Sequence, residues 1–387
     1  MDLSYILNHL GEERDEYHGA VSPPVHQTSN FAFASVAAMR HALPHEQEVS
    51  FYTRGLNPTT AILCQKLAAL EGTDGALAFA SGAAAISAAV ISQLQAGDHV
   101  VCVQKPYGWA EKLFNQLLGR YGVTVTYVPA ADTAGIEVAI QPNTRMLYLE
   151  SPNSLTFELV DLEAVCAITK PRGIVTVIDN SYATPLGQQP AKWGVDIVVH
   201  SASKYLGGHS DVVAGVVCSS KAIIKQIFDH EFMNLGGIAA PWTSALLLRS
   251  LRTLPVRFER SSQSGMQVAE YLYNHPKVQR LIYPGHPSHP QYALAQKQMG
   301  QCGGLFSILL DAQDVTEIER FADKLQRFLL ACSWGGHESL VLPVCALAAS
   351  PEQLNPHLPW NLVRLYIGLE DPSVLIADLE QALLDMK

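Results

Sequence analysis

The sequence predicts an α/β fold in which a large, mostly parallel, doubly wound sheet precedes a smaller α+β domain. Apolar runs rich in valine and isoleucine recur between residues 99 and 217, and helical stretches separate most of them. Parallel strands that are covered by helices on both faces have this continuous apolar character. After about residue 240 the helices become longer and the strand candidates more widely spaced, which indicates the second domain.

The predicted elements divide the chain into three parts. The first ~50 residues contain Pro23, Pro24 and Pro44 and little periodicity, so we expect an extended, irregular arm over residues 1–58. Residues 59–240 form the large domain and residues 241–387 the small one. Helices are predicted over 59–70, 82–94, 109–121, 162–169, 244–254, 258–274, 315–330 and 373–384. Strands are predicted over 99–103, 123–128, 146–149, 174–178, 195–199, 212–217, 305–310, 339–342 and 363–367.

Composition limits the possible partners. The chain has 387 residues, of which 48% are hydrophobic and 16% charged, and its net charge is −10. Such a surface offers no electrostatic reason to bind nucleic acid or an anionic membrane. No run has the ~18 strongly apolar residues of a membrane helix, and the N-terminus lacks a basic start followed by an apolar stretch. We therefore expect no membrane partner and no secretory signal.

The seven cysteines are scattered singly along the chain. An odd number without close pairs argues against a disulfide framework, and the lack of Cys-x-x-Cys spacing argues against a zinc site. Several lie within apolar runs, as Cys102 and Cys218 do, which is typical of buried small hydrophobes. We expect no metal, and a reducing compartment, the cytoplasm.

Lys204 occupies an unusual position, shortly after the apolar run at 195–199. A structural lysine is the ordinary interpretation of a single such residue. However, desolvation lowers the pKa of a lysine, and the neutral amine is the species that forms a Schiff base with a carbonyl. The hydroxyls of Ser201 and Ser203 could hold an anion beside it. A cofactor with both an aldehyde and a phosphate, pyridoxal phosphate (PLP), uses all of these features.

Asp179 closes another predicted buried strand, where a carboxylate requires a partner. The protonated nitrogen of a pyridine ring is one such partner, and a carboxylate there keeps the ring an electron sink. An N-cap aspartate is the alternative. Because chemistry collects at the carboxyl ends of strands in open α/β sheets, Asp179 and Lys204 are expected to lie at one edge.

Three further segments offer groups to the same cofactor. Gly82 and Ala83 open a predicted helix, where small residues and unpaired N–H groups suit a phosphate. Tyr107 follows a predicted strand and could stack on a flat ring, although a boundary tyrosine is the simpler interpretation of it alone. Tyr52 and Arg54 lie in the arm, and a guanidinium suits bidentate phosphate recognition.

Together these segments resemble the PLP-dependent enzymes of cysteine and methionine metabolism, the transsulfuration group of fold type I. The resemblance runs from about Tyr17 to the C-terminus, and residues 201–211, Ser-Ala-Ser-Lys-Tyr-Leu-Gly-Gly-His-Ser-Asp, are highly specific for it. It implies that Lys204 carries the cofactor as a Schiff base, that Asp179 pairs with the pyridine nitrogen, and that Tyr107 stacks on the ring. The implied phosphate ligands are Gly82, Ala83, Ser201 and Ser203, with Tyr52 and Arg54 reaching the phosphate of a neighbouring subunit. The enzyme would then share its active sites in a homotetramer.

Within the group, residues 150–156, 333–340 and 363–371 look most like the cystathionine β-lyases. Many relatives have leucine in place of Trp334 and an Asn-Pro pair in place of Ser154 and Leu155. Arg364 matches the arginine that binds the α-carboxylate of the substrate, although it also reads as a surface arginine on an amphipathic strand. Ser333 and Trp334, with Tyr52, would line the same substrate pocket.

Three features depart from the group. His337 stands where relatives vary, Ala83 replaces a methionine of some relatives, and residues 344–351 differ from the expected pattern. The resemblance predicts a β-lyase that cleaves L-cystathionine or a related S-substituted cysteine, with Lys204 and Tyr107 as catalytic residues. Cystathionine γ-lyase, methionine γ-lyase and cystathionine γ-synthase share the core motifs and remain alternatives. A protein that binds the cofactor without catalysis is a remote one.

Overall fold

A computed structural model describes residues 1–348 and 358–386, which form two β-sheets. The larger sheet has seven strands, β1 (Gly75–Phe79), β2 (His99–Val103), β3 (Thr124–Val128), β4 (Thr144–Glu150), β5 (Val175–Asp179), β6 (Ile197–Ser201) and β7 (Gly215–Ser219). The smaller has five, β8 (Val278–Ile282), β9 (Leu305–Leu310), β10 (Leu329–Leu330), β11 (Leu340–Pro343) and β12 (Leu362–Tyr366).

The strands of the larger sheet are ordered β1-β7-β6-β5-β4-β2-β3. All neighbouring pairs are parallel except those of β7, which runs antiparallel to both β1 and β6. Every residue of β2 and β7 is buried, because helices cover both faces of the sheet. Continuous apolar strands are what this double cover requires.

The smaller sheet has the order β10-β11-β12-β9-β8. It is antiparallel apart from the short β10–β11 pair. Its central strand, β12, is fully buried and carries Arg364. A charged side chain on such a strand is therefore surrounded by protein rather than by water.

Fifteen α-helices connect and cover the strands within the described residues. They are α1 (Leu3–Asn8), α2 (Val36–Ala42), α3 (Pro58–Glu71), α4 (Gly82–Ile91), α5 (Gly108–Lys112), α6 (Thr133–Val138), α7 (Leu162–Thr169), α8 (Thr184–Gly187), α9 (Lys221–Ile227), α10 (Met233–Leu235), α11 (Pro241–Leu251), α12 (Leu254–Tyr273), α13 (Tyr292–Gln298), α14 (Val315–Lys324) and α15 (Pro372–Leu383). Helices α3 and α4 pack on opposite faces of the large sheet.

The predicted elements agree with this fold in most places, and three points need correction. The helix predicted over 315–330 ends at Lys324 and is followed by β10, because Asp378 accepts the N–H groups of Gln326 and Arg327. The arm is not wholly irregular, since it contains α1 and α2. Strands β1, β8 and β10 were not predicted.

The domain boundaries and the segment at 344–351 are predictions that the described residues do not decide. The division of the chain at residues 58 and 240 stays a prediction. The unusual segment at 344–351 lies partly outside the described residues, and only its first part, the 3₁₀ turn Val344–Leu347, is seen. Separately, no helix in the described residues combines the length and apolarity that a membrane crossing requires.

Candidate active site

Functional side chains of the large sheet gather at one edge because its parallel strands end there. Glu150 ends β4, Asp179 ends β5 and Ser201 ends β6, with Lys204 three residues further on. Strand β1 ends at the same edge and leads into α4, which begins at Gly82. The predicted gathering of Asp179, Lys204 and the small-residue turn is therefore present.

Lys204 lies close to two residues from the loop before β11. Its Nζ atom donates to Ser333 Oγ at 2.7 Å and lies 4.4 Å from the ring centroid of Trp334. Burial, helped by the positive charge of Arg364, lowers the pKa of Lys204 to about 8. A substantial fraction of this amine is neutral near neutral pH, which a nucleophile or a base requires.

The backbone around Lys204 is tightly held. Gly208 donates its N–H to the carbonyl oxygen of Lys204 at 2.8 Å. The buried Arg257 of α12 donates from Nη1 to the carbonyl oxygen of Tyr205 at 2.8 Å. Gly335, which lies in the loop before β11, packs against the backbone of Lys204 and Tyr205. These contacts fix where the amine emerges.

Asp179 is buried and has no cationic side chain within ion-pair distance among residues 1–348 and 358–386. Its Oδ1 atom accepts the N–H of Ser181 at 2.9 Å. Burial raises the pKa of Asp179, while that hydrogen bond and the nearby His200 and Lys204 oppose the rise. Because a buried carboxylate is costly without a partner, this one fits the protonated nitrogen of a bound ring.

The start of α4 forms a cradle for an anion. Ser81 caps the helix through its Oγ atom, which accepts the N–H of Ala84 at 3.1 Å. Gly82 lies so close to β6 that an added Cβ atom would be 2.8 Å from the Cβ atom of Ser201. The first N–H groups of a helix have no partner within it, so those of Gly82 and Ala83 fit a phosphate.

The two predicted phosphate serines are also held in place. Ser201 donates its N–H to Ser181 Oγ at 2.6 Å, which leaves its own hydroxyl at the end of β6. The Oγ atom of Ser203 accepts the N–H of Ala214 at 3.1 Å. Both residues thus lie beside the loop that carries Lys204, and their role as phosphate ligands stays a prediction.

Tyr107 precedes α5, and its side chain is partly exposed, at 41%. Its N–H donates to Glu150 Oε2 at 2.6 Å, which fixes the loop after β2 to the end of β4. Burial raises the pKa of the Tyr107 hydroxyl, and the negative charge of Asp179 raises it further. The phenol therefore keeps its proton and can serve as a donor.

Arg364 is buried, yet it pairs with no carboxylate in the described part of the chain. Its Nη1 atom donates to the carbonyl oxygen of Ser154 at 3.0 Å and its Nη2 atom to that of Cys332 at 3.2 Å. Its Cζ atom lies 5.2 Å from the ring centroid of Trp334. Burial lowers the pKa of Arg364 to about 10. A buried guanidinium that meets only neutral acceptors fits an incoming carboxylate.

Three predicted positions are not brought to this group within a single chain. Tyr52 and Arg54 are exposed, with the Cζ atom of Arg54 5.8 Å from the ring centroid of Tyr52. No described hydrogen bond or ion pair joins them to Lys204 or Asp179. His337 is largely exposed, and its Nδ1 atom lies 3.1 Å from Glu338 Oε2. The predicted roles of Tyr52 and Arg54 stay predictions.

Sequence reasoning missed Glu150, Arg257 and Gly335. Glu150 follows a predicted strand in the same way that Asp179 does, and that pattern could have identified it. Arg257 lies within a helix, and Gly335 belongs to a pair of glycines, so neither position carries a signal of its own.

Comparisons with known proteins agree with this geometry. The family model described as Cys/Met metabolism PLP-dependent enzyme matches residues 5–384. The chain belongs to this family. PLP is therefore its cofactor. That molecule fits the cradle at α4, the unpaired carboxylate of Asp179 and the amine of Lys204, whose pKa is lowered.

Family members with several activities are similar to the chain. An L-methionine γ-lyase of Pseudomonas deceptionensis is 40% identical over 97% of this chain and 95% of its own length. A cystathionine β-lyase of Coxiella burnetii is 38% identical over 97% of the chain and 96% of its own length. A cystathionine γ-synthase of Mycobacterium bovis is 37% identical over 97% and 95%, respectively.

The fold also agrees with a solved structure of the family. The crystal structure of metB from Corynebacterium glutamicum has a TM-score of 0.92 and 34% sequence identity, and the match covers 100% of this chain and 98% of that one. The predicted fold, a large mostly parallel sheet with a smaller second domain of the fold type I PLP enzymes, is confirmed. The protein is thus a PLP-dependent enzyme of cysteine and methionine metabolism.

Proposed function

We propose that the protein is a PLP-dependent carbon–sulfur β-lyase that cleaves L-cystathionine, or a related S-substituted cysteine. The reaction consumes one water molecule, and its products are homocysteine (or another thiol), pyruvate and ammonia. The observation that carries the proposal is the contact set of Lys204, whose amine contacts both Ser333 and the ring of Trp334, with the unpaired Arg364 beside the same ring. A base and a carboxylate-binding group thus face one space.

Arg364 is proposed to bind the α-carboxylate of the substrate. The guanidinium is already held by two carbonyl oxygens, so it does not need to reorganise when the substrate arrives. Charge-assisted hydrogen bonds of this type are about twice as strong as neutral ones. This binding places the Cα atom of the substrate near the amine of Lys204.

The cofactor would be held by the residues that the sequence pointed to. These are Asp179 at the ring nitrogen, Tyr107 on the ring, Lys204 at the aldehyde carbon, and Gly82, Ala83, Ser201 and Ser203 at the phosphate. When bound, PLP supplies an electron sink that stabilises negative charge at the Cα atom. The chain supplies the binding, the orientation and the proton transfers.

Lys204 is proposed to remove the proton from Cα as a general base. Its lowered pKa makes the neutral amine available near neutral pH, and such catalysis contributes roughly 10²–10⁴-fold to the rate. The bond between Cβ and sulfur then breaks, and the thiolate takes a proton from Lys204 or from Tyr107. Tyr107 suits this role because burial keeps its hydroxyl protonated.

The preference for β- over γ-cleavage rests on Trp334 and on Ser154 and Leu155. A γ-elimination requires proton removal at Cβ as well as at Cα, so its base must travel between two carbons. Here the amine already has two close neighbours, since it donates to Ser333 at 2.7 Å and lies 4.4 Å from the ring centroid of Trp334. This confinement favours a single site of proton removal.

A γ-lyase is the second candidate, because the relative that is 40% identical is named L-methionine γ-lyase. The two activities differ in the keto acid that they form. Purified enzyme with PLP and L-cystathionine should yield pyruvate and homocysteine, as identified by mass spectrometry. Formation of 2-oxobutyrate and cysteine would replace the proposal with γ-cleavage. A PLP-bound protein that leaves cystathionine, methionine and other sulfur amino acids unchanged would replace it with a non-catalytic role.

We also propose a homotetramer in which Tyr52 and Arg54 complete the active site of a neighbour. Both residues are exposed in the arm, and no described hydrogen bond or ion pair joins them to Lys204 of their own chain, which supports this arrangement. All seven cysteines are free, which supports the cytoplasm as the location. A mass measurement by light scattering tests the first proposal.

A further inference from the structure

Glu150 is a buried carboxylate at the centre of the site that no step of the proposed reaction uses. It is the last residue of β4, and its Cα atom pairs with that of Asp179 on β5. Only 6% of the residue is exposed. Burial and the nearby Asp179 both raise the pKa of Glu150. Keeping two carboxyl groups buried at this spacing therefore costs folding free energy.

Both oxygens of Glu150 are engaged, and they reach two different loops. Oε2 accepts the N–H of Tyr107, at 2.6 Å, from the loop after β2. Oε1 accepts the N–H of Ser154, at 3.1 Å, from the turn after β4. Lys105, at the start of the Tyr107 loop, has a φ of 55°. Such a backbone costs about 1 kcal/mol or more in a residue other than glycine and needs outside support.

The second loop leads directly to the group proposed to bind substrate. The carbonyl oxygen of Ser154, whose N–H is held by Glu150, accepts Nη1 of Arg364 at 3.0 Å. A continuous chain of contacts therefore runs from the Tyr107 backbone, through the Glu150 carboxylate and the backbone of Ser154, to the Arg364 guanidinium. The Glu150 side chain thus connects Tyr107, which is proposed to contact the cofactor, with Arg364, which is proposed to bind the substrate.

We propose that Glu150 is a positioning residue that sets Tyr107 and Arg364 together, so that cofactor and substrate carboxylate are bound in one fixed relation. This role rests on the proposed roles of those two residues. A glutamine at the position cannot replace it, because its amide NH₂ group would face a backbone N–H that needs an acceptor. The substitution Glu150→Gln should therefore release one of the two loops while keeping the volume of the side chain.

Asp378 provides a matched control for a purely structural effect. It is also 6% exposed, and its carboxylate accepts the N–H groups of Gln326, at 2.9 Å, and Arg327, at 2.8 Å. It lies in α15, which packs against α12 and α14 rather than at the strand ends. Asp378→Asn thus breaks the same kind of contact without touching Tyr107 or Arg364.

The experiment compares both variants with the unmodified protein in three measurements. These are the thermal midpoint, the dissociation constant of PLP from apoenzyme, and the dissociation constant of glycine from the PLP-bound enzyme. Glycine carries the α-carboxylate but no leaving group, so its binding is independent of whether the enzyme cleaves at Cβ or Cγ. Glu150→Gln should raise the dissociation constants of both PLP and glycine about tenfold, the equivalent of ~1.4 kcal/mol each. Asp378→Asn should lower the midpoint and leave both constants unchanged.

Either of two results with Glu150→Gln would overturn the proposal. If both variants weaken the two ligands equally, Glu150 acts only through stability. If Glu150→Gln weakens the binding of PLP but leaves the binding of glycine unchanged, Glu150 does not position Arg364. Should Glu150→Gln fail to fold, Glu150→Asp keeps both acceptor oxygens but withdraws them by one methylene. Unchanged affinities in that variant also contradict the proposal. None of these measurements uses cystathionine. If the enzyme does not cleave cystathionine, the proposed function fails but this test of Glu150 still applies.

Discussion

Gly335 lies against the backbone of Lys204, so that a Cβ atom at position 335 would be 2.7 Å from the carbonyl carbon of Lys204 and 3.0 Å from its Cα atom. The φ angle of Gly335 is 86°, in the region that glycine favours. Only a glycine lets the loop that carries Ser333 and Trp334 approach the loop that carries the amine. The contact between Lys204 and Ser333 thus depends on a residue that has no side chain.

Gly335→Ala should displace the Ser333 loop from Lys204. The added methyl group overlaps backbone atoms that cannot rotate away, so one loop must move. We expect kcat/KM to fall by about 100-fold or more, because small misplacements of reacting groups carry losses of that size. Steady-state assays of pyruvate formation measure it.

Gly236→Ala is the matched control for backbone strain. Gly236 has a φ of 67°, but no atom lies within 4 Å of the position of an added Cβ atom. Its substitution should cost about 1–2 kcal/mol of stability and leave the kinetic constants within about twofold. If both alanine variants lose activity to the same degree, strain alone is responsible and the close approach to Lys204 is unimportant.

Lys204→Ala should abolish turnover. The variant loses both the amine that attaches PLP and the proposed base, so kcat should fall by at least ~10³-fold. Dialysis should also remove PLP from the variant, and absorbance measures how much remains. Lys297, an exposed lysine paired with Glu163 at 2.6 Å, gives the control variant Lys297→Ala with unchanged activity. Full activity of Lys204→Ala would refute the assignment of the lysine.

The capture of PLP by the apoenzyme should depend on pH through Lys204. Its folded pKa of about 8 lies below the ordinary value of 10.5, and only the neutral amine attacks an aldehyde. The rate constant should therefore rise about tenfold per pH unit below pH 8 and level off above it. Stopped-flow absorbance measures this profile. Arg364→Leu should shift the midpoint upwards, since the charge of Arg364 lowers the pKa. A midpoint that remains near 10 in the unmodified enzyme would contradict a desolvated amine.

The large sheet was predictable because burial on both faces leaves a continuous apolar pattern in each strand. Asp179 and Lys204 stood out because each follows such a run, but each alone has a structural explanation, and only their combination with the other segments favoured a shared site. The predicted strand at 146–149 stopped one residue short of Glu150. The two N–H groups that the Glu150 carboxylate accepts come from separate loops. Contacts of that kind have no signature in the local sequence.

Long-range contacts also explain the errors in the fold. Helix α1 was not predicted, yet Lys66 donates to the carbonyl oxygens of Ile6, at 2.9 Å, and Leu7, at 3.1 Å, and so ties α1 to α3. The early end of α14 depends on Asp378, about fifty residues away in the chain. Local propensity is a weak guide wherever a distant side chain satisfies the backbone.

Arg364→Lys should separate substrate binding from cofactor binding. Lysine keeps the charge but not the planar fork that binds a carboxylate with two hydrogen bonds. Losing such a buried contact costs about 2–5 kcal/mol, so kcat/KM for cystathionine should fall roughly 100-fold, while the dissociation constant of PLP stays within about twofold. Arg260→Lys is the control, since Arg260 is exposed and also donates to a carbonyl oxygen, that of Glu370, at 3.2 Å. Equal effects of the two substitutions would exclude Arg364 from the substrate site.

Sharing of the active site between subunits can be tested by mixing two inactive variants. One variant, Lys204→Ala, keeps Arg54, and the other, Arg54→Ala, keeps Lys204. If Arg54 binds the phosphate of a neighbour, a hybrid pair contains one site with both groups intact and one site with neither. Random mixing should then restore about a quarter of the unmodified activity.

The same mixture gives a different result if Arg54 acts within its own chain. Every site of the hybrid would then lack one of the two groups, and the activity of the mixture would equal the average of the two variants. The variants are unfolded together, refolded with PLP and compared with each variant treated alone, so that losses on refolding cancel. Recovery above that average requires Arg54 to cross between subunits, because exchange of chains is the only change that mixing introduces.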